Sequence, residues 1–309
     1  MATLYVEIPH NFKEVEQYII QDKEEILKEI LTADKCYFYD TCSIRKHAHM
    51  KNPQCLCDYI HRSNGVVILT RCIIMELASL SGILNDEYIK FLKYLWTEGV
   101  NVLVLYEEDI FDLMNLCFSS NAKINDCLSW AVKVVKRPTS TIYTTLQEDK
   151  ILFKHIVNGN ITEGDLFARF FRSVRNNKES DDNLGEELIA ICIHLLSNIP
   201  ERQAYKFIVF TEDKGAIGLV NKISKNVYEH TKRNTLSALT TARLTQILYE
   251  EKIIDKRSQV EELLSLGMTN GIIKVIGSEK YDLDIKEKTM TYSQLAQKIM
   301  SPNKIHINF

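Results

Sequence analysis

The stretch Cys36–Ala48, CYFYDTCSIRKHA, starts as an apolar run and breaks at Asp40 into small polar residues, with Arg45 and Lys46 close behind. An acid at the end of an apolar run has two explanations. Asp40 caps the helix that follows, a position Asp favours, or it is a ligand at the mouth of a sheet. The stretch alone leaves both open, so the decision falls to the other acids of the chain.

Further apolar runs follow at GVVILT (65–70), VNVLVLY (100–106) and YKFIVFTED (205–213). They are apolar on consecutive residues rather than alternating, as central strands covered on both faces are. The segments between them, such as NDEYIKFLKYLWTEG and NLGEELIAICIHLLS, have helical period and length. Strand–helix–strand alternation predicts right-handed crossovers and a parallel sheet. The expected fold class is therefore α/β, a three-layer α/β/α sandwich with a central parallel sheet. A short strand TLYVEI and a helix over NFKEVEQYIIQDKEEILKEIL are expected in an N-terminal extension, residues 1–34. The core domain spans 35–230 and carries a helical insertion at about 106–180. A C-terminal extension, 231–309, is expected to hold helices over LSALTTARLTQILYEEK and SQVEELLSLG and then a small hairpin plus helix. A clear fifth strand is missing, with KNVYEH (225–230) as the candidate.

Composition bounds the function. Hydrophobic residues make up 45% of 309 and charged residues 26%, enough for a sizeable core and against disorder. Net charge is −3, so any nucleic-acid binding must use local patches. No apolar segment approaches the roughly 18–20 residues of a membrane span. No charged leader with an apolar run opens the chain, so the eight scattered cysteines read as reduced thiols of a cytoplasmic protein.

In an open parallel sheet, function gathers beyond the carboxyl ends of the strands. Asp40 stands there after the first strand, Glu76 lies six residues past Thr70, and Asp213 follows the fourth strand. Glu186 opens the helix GEELIAICI. Four acids from four distant segments can thus converge. Clustered carboxylates raise one another's pKa unless a cation compensates, and hard oxygen ligands suit Mg²⁺ or Mn²⁺. Such ions activate water and stabilise a displaced phosphate oxygen, which is the chemistry of a phosphodiesterase. Asp182, four residues before Glu186, is a fifth candidate ligand. Glu212 could replace Asp213, and Glu187 points about 100° from Glu186 and reads as solvated. Ser43 and Thr211 are hydroxyls able to orient the acids, or to satisfy turns.

In their order these motifs resemble those of PIN-domain nucleases. FYDTCSI is similar to the opening strand of that family, TRCIIMELASL to its second motif, GEELIAI to its third and FIVFTEDKGAI to its fourth. The resemblance covers roughly residues 35–225. It implies that Asp40, Glu76, Glu186 and Asp213 bind the metal and that the chain cleaves RNA. The third acid is Glu where many members carry Asp. A PIN-like scaffold binding RNA or protein without hydrolysis, and a structure-specific DNA nuclease using the insertion as an arch, are the alternatives.

A polyanion must still be attracted to an acidic pocket. FARFFRSVRNNK places Arg169, Arg172 and Arg175 at steps of three, either a phosphate-binding stripe or a solvated face over an aromatic core. Arg45, Lys46 and Lys214 flank the acids and are expected near substrate, and KVVKRP (133–138) is a weaker patch. His47, His49, Cys55, Cys57 and His61 are residue types able to hold zinc, at a spacing that is no familiar finger. The insertion and tail exceed a minimal toxin of the family, which leaves an inhibitory or recruiting protein partner, RNA holding and a homo-oligomer as open roles.

Overall fold

The computed structural model describes residues 5–199, 206–268, 271–279, 282–301 and 305–308. Five strands, β1 (Lys35–Tyr39), β2 (Gly65–Thr70), β3 (Val102–Leu105), β4 (Phe207–Phe210) and β5 (Leu236–Leu239), form one sheet. Every pairing in it is parallel and the order is β3-β2-β1-β4-β5. Helices flank the sheet, giving the three-layer α/β/α fold. Cys36, Tyr37, Phe38 and Tyr39 are all buried, which is why β1 reads as an unbroken apolar run.

The chain begins in the middle of the sheet, builds outward through β2 and β3, then returns to the other side of β1 as β4. The direction of winding reverses between β1 and β4, and that reversal opens the crevice in such folds. Asp40 follows β1 and Thr211 follows β4. The register holds them side by side, because the Asp40 N–H donates to the Phe210 carbonyl at 3.0 Å.

Four expectations need correction. From Tyr5 onward TLYVEI is irregular, and its first residues lie outside the described ones. The long N-terminal helix is two 3₁₀ turns, Phe12–Glu14 and Glu16–Tyr18, followed by a helix at Lys23–Thr32. Ile20 interrupts it by bridging to Leu103 on the outer edge of β3, so tertiary pairing overrides local period. KNVYEH lies inside the helix Lys214–Thr231. The fifth strand is instead LSAL, read as the start of a helix; that helix begins only at Thr241, capped by the Thr240 hydroxyl. The expected boundary at 230/231 therefore cuts the fifth strand away from its own sheet.

Between β3 and β4, residues 106–180 form helices, among them Asn121–Val135 and Leu166–Asn176. They are fastened by Arg175, whose guanidinium is fully buried. It donates to Glu107 Oε2 at 2.5 Å, to both oxygens of Glu108 at 2.8 and 2.9 Å, and to Glu7 Oε1 at 2.8 Å. After the helices Thr241–Glu250 and Arg257–Leu266, a hairpin of β6 (Ile273–Glu279) and β7 (Asp282–Met290) follows. With β8 (Ile305–Ile307), which pairs to β6, it makes a small antiparallel sheet. Among the described residues, no helix is long and apolar enough to cross a membrane.

Candidate functional site

Asp40 is the N-cap of the helix Thr41–His47, yet its side chain makes no capping bond there. Its Oδ2 instead accepts from Thr211 Oγ1 at 2.9 Å and from Cys42 Sγ at 2.9 Å. The side chain is turned into the crevice, with Asp40 only 5% exposed. Burial raises its pKa, the Cys42 and Thr211 bonds oppose the rise, and Glu76 adds to it. Burial and Asp40 push the Cys42 thiol up to about 12, so sulfur keeps its proton and acts as donor.

Thr211 serves both carboxyl-end acids. Its hydroxyl donates to Asp40 and accepts from the Asp213 N–H at 3.1 Å. Asp213 is exposed and caps the helix Lys214–Thr231, its Oδ1 accepting from the Ala216 N–H at 2.9 Å. Ser43, the other expected hydroxyl, is buried with its oxygen 4.0 Å from Cys42 Sγ. Thr41 takes the place foreseen for it, donating to Glu76 Oε2 across the crevice.

Glu76 lies in the helix Arg71–Ala78 and is fully engaged. Besides Thr41, its carboxylate receives the Gly185 N–H at 3.2 Å and the Lys178 ammonium, with Nζ 3.0 Å from Oε1. Asp182 shares that ammonium. It also accepts from Thr141 Oγ1 at 2.7 Å and from the backbone N–H groups of Glu179 and Leu184. Asp182 is thus the organiser of the turn before the helix Leu184–Leu196, not one more open carboxylate.

Glu186 is different. Its Oε2 is buried with no hydrogen-bond partner among the described residues. Burial, then Asp40, Asp213 and Glu76 push its pKa up to about 8, with Arg137 opposing. All four sequence-predicted acids therefore share one electrostatic field. Among the described residues, no three His, Cys, Asp or Glu side chains stand close enough together to hold an ion as they are. Glu187, expected in solvent, is only 1% exposed, and both its oxygens lack partners among the described residues. Burial pushes it up to about 7, Arg137 pulls it down and Asp182 pushes it further up. The helix carrying it is covered on nearly all sides, so a turn of 100° leads into protein, not water.

The basic residues divide sharply. Arg175 is the buried clamp described above, and exposed Arg172 turns to Glu108 at 3.7 Å. The stripe is thus divided: Arg175 is spent inside the protein, Arg172 is exposed and Arg169 is half-buried. Arg45 is exposed and lies near the acids, its Nη2 3.4 Å from the Glu76 carbonyl. Lys46 is 3.8 Å from Glu212, and Lys214 is 2.5 Å from Glu287. Both line a cleft of about 330 Å³ between the sheet edge and the C-terminal hairpin. Glu212 caps the helix Thr241–Glu250 by accepting the Thr241 N–H, which removes it as a substitute for Asp213.

Arg137, inside the weaker patch, is the cation the sequence reading undervalued. Its Nη2 lies 3.5 Å from the Gly215 carbonyl, two residues past Asp213, and its charge is felt by Glu186 and Glu187. Lys178 was missed outright, although a lone lysine four residues before Asp182 is a legible pairing.

The residues considered for zinc go separate ways. His47 is buried, with Nδ1 2.9 Å from the Tyr39 hydroxyl, and burial pulls it down to about 3. His49 pairs with Glu87 at 3.4 Å. Cys55 and Cys57 are buried in the helix Gln54–Arg62, and His61 is exposed.

No protein-family model, no curated protein and no solved structure matches this chain.

Proposed function

We propose that the chain is a metal-dependent endoribonuclease of the PIN-like kind, hydrolysing RNA phosphodiester bonds at the crevice between β1 and β4. The observation that carries this reading is the orphaned Glu186 Oε2, buried in the common field of Asp40, Asp213 and Glu76. A carboxylate in that position has the charge of Arg137 to set against three neighbouring acids, and its chemistry fits a hard divalent cation such as Mg²⁺ or Mn²⁺. Asp40, Glu186 and Asp213 are the residues that would hold it. A bound ion of this type supplies Lewis-acid activation of water and charge stabilisation at the leaving oxygen.

The chain's own residues supply the rest. Thr211 and Cys42 fix the Asp40 carboxylate through one of its oxygens. Arg137 offers a planar pair of donors for a phosphate beside Asp213. Exposed Arg45, near the Glu76 carbonyl, is a second donor for phosphate. The strand runs past the cleft lined by Lys46 and Lys214.

The test is cleavage of total RNA by the full chain with Mg²⁺ or Mn²⁺, with and without chelator. Cleavage is expected to vanish with chelator and in Asp40→Asn and Asp213→Asn, whose circular dichroism stays native. Activity that persists in both variants would sink the reading. Matched single-stranded and flap DNA substrates separate RNA from DNA cleavage.

A PIN-like scaffold that binds RNA or protein without cutting is the second reading. The observation favouring it is that no three candidate ligands among the described residues already stand at ion-holding distance. It predicts RNA retention with neither cleavage nor Mn²⁺ binding.

A further inference from the structure

The cleft of about 330 Å³ begins next to the acids, because Glu212 and Lys214, the chain neighbours of Asp213, both line it. One wall is a strand face. Along β6, Ile273, Val275 and Gly277 alternate inward and are buried in the small sheet. Ile272, Lys274 and Ile276 alternate with them and line the cleft. Ile272 is 37% exposed, so this apolar face is not spent on the core. Lys274 is exposed and makes no ion pair among the described residues. Glu287 of β7 is the register partner of Ile276 and joins the same face.

The facing wall is the first turn of the helix Lys214–Thr231, where Lys214 and Ile217 stand three residues apart on one side. Lys46 lines the cleft too, 3.8 Å from Glu212. Isoleucines set among lysines suit a ligand with apolar faces and an anionic backbone, which describes a nucleotide of a single strand. The volume suits one such unit, since ligand pockets start at about 300 Å³.

Both carboxylates of the cleft are engaged, though unequally. Glu212 accepts the Thr241 N–H and belongs to the fold. Glu287 pairs with Lys214, and the two side chains are 45% and 58% exposed. Exposed pairs are weak, so a phosphate can replace the carboxylate. Lys214, and after it Lys274, hold Glu287 below the ordinary carboxylate range, so it stays charged and competes as an anion.

We infer that this cleft is the subsite for the RNA nucleotide flanking the scissile phosphate on the hairpin side. Its base lies against Ile217, Ile272 and Ile276, and its phosphate displaces Glu287 from Lys214, with Lys274 as the second cation. This rests on the RNA cleavage proposed above. Glu287 is the carboxylate that occupies the phosphate position until the strand arrives.

Two surface variants are expected to move RNA affinity in opposite directions. Fluorescence anisotropy of a single-stranded oligonucleotide on the full chain, in chelator to prevent cleavage, reads both. Lys274→Ala should weaken binding about threefold or more and lower the salt slope by about 0.7, one phosphate contact on a single strand. Glu287→Gln should tighten binding about threefold or more, because it releases Lys214 to phosphate. The same oligonucleotide carrying 4-thiouridine, irradiated on wild type and mapped by peptide mass, should crosslink within 272–276 or 214–217. Affinity unmoved in either variant, or crosslinks confined to other segments, overturns the inference, while RNA cleavage by the same wild type leaves the nuclease reading standing. A nucleoside monophosphate bound as tightly as the oligonucleotide also overturns it, since the cleft then serves a free ligand. Wild type that neither binds nor cleaves RNA overturns both.

Discussion

Gly185 donates its N–H to Glu76 Oε1 at 3.2 Å, and a methyl group on its α-carbon would stand 2.6 Å from that same oxygen. The two residues are 109 positions apart, yet the start of one helix is shaped to the carboxylate of another. Glycine here is a matter of space, since the approach is too close for any side chain.

Gly185→Ala is therefore expected to destabilise. A helical Gly→Ala change ordinarily stabilises by about 0.4–1 kcal/mol through the unfolded chain. Overpacking costs about 1–3 kcal/mol, and the Glu76 carboxylate cannot swing aside without leaving Thr41 and Lys178. A net loss of about 1–2 kcal/mol follows from those two magnitudes. Gly218, in the helix Lys214–Thr231, has nothing within 4 Å of its would-be methyl, so Gly218→Ala is the control and should gain stability. Urea midpoints of the two variants moving the same way would contradict this.

Glu186 gives a pH dependence. Its carboxyl is raised from the ordinary 4.5 to about 8 in the folded chain, so the folded state holds a proton that the unfolded state has released. The associated stability is full below about 4.5 and disappears as pH rises through about 8. Buried His47 and His194, held below their ordinary 6.5, lend stability as pH rises to about 6.5, so the decline due to Glu186 should show in metal-free protein between about pH 6.5 and pH 8. Divalent cation should flatten the decline, because it stabilises the charged form. Glu186→Gln should weaken the decline, while the part due to Glu187, which ends at about 7, remains. Calorimetry in chelator across this range is the measurement, and a melting point that climbs with pH would refute the assignment.

Arg175→Met is expected to cost about 3–5 kcal/mol, the usual result of stranding a buried partner charge. Glu107 is fully buried and would lose its counter-ion, and the insertion would lose its tie to Glu7. RNA affinity of whatever folds should keep the wild-type salt dependence. A flatter salt slope in fluorescence anisotropy would show instead that Arg175 meets phosphate.

Arg137→Ala should cost no more than about 1 kcal/mol of stability, since the half-buried side chain acts on Glu186 and Glu187 as a counter-charge without a direct ion pair. The salt slope for single-stranded RNA should drop by about 0.7, the share of one phosphate contact. An unchanged slope would remove Arg137 from the substrate path.

Much of this was legible in the sequence. Apolar runs on consecutive residues gave away four buried parallel strands, and Asp40 and Asp213 are legible at the carboxyl ends of two of them, because both signals are local. LSAL escaped because a four-residue strand directly followed by a helix has no period of its own. Ile20 escaped because only the neighbouring β3 makes it a bridge.

What tertiary structure alone decided is which charges are spent and which remain. By spacing, Arg169, Arg172 and Arg175 are equivalent, yet Arg175 is buried against three glutamates. Glu186 and Glu187 are adjacent, yet among the described residues Glu187 is buried with both oxygens orphaned and Glu186 is half-buried with one. Asp40 is an even choice between cap and ligand on its own stretch; in the fold its oxygen makes no capping bond and is held by Thr211 and Cys42. The sequence determines where ionisable groups enter the fold. Whether each meets water, a counter-charge or nothing depends on distant chain segments, 171 positions apart for Asp40 and Thr211, and no local pattern encodes that.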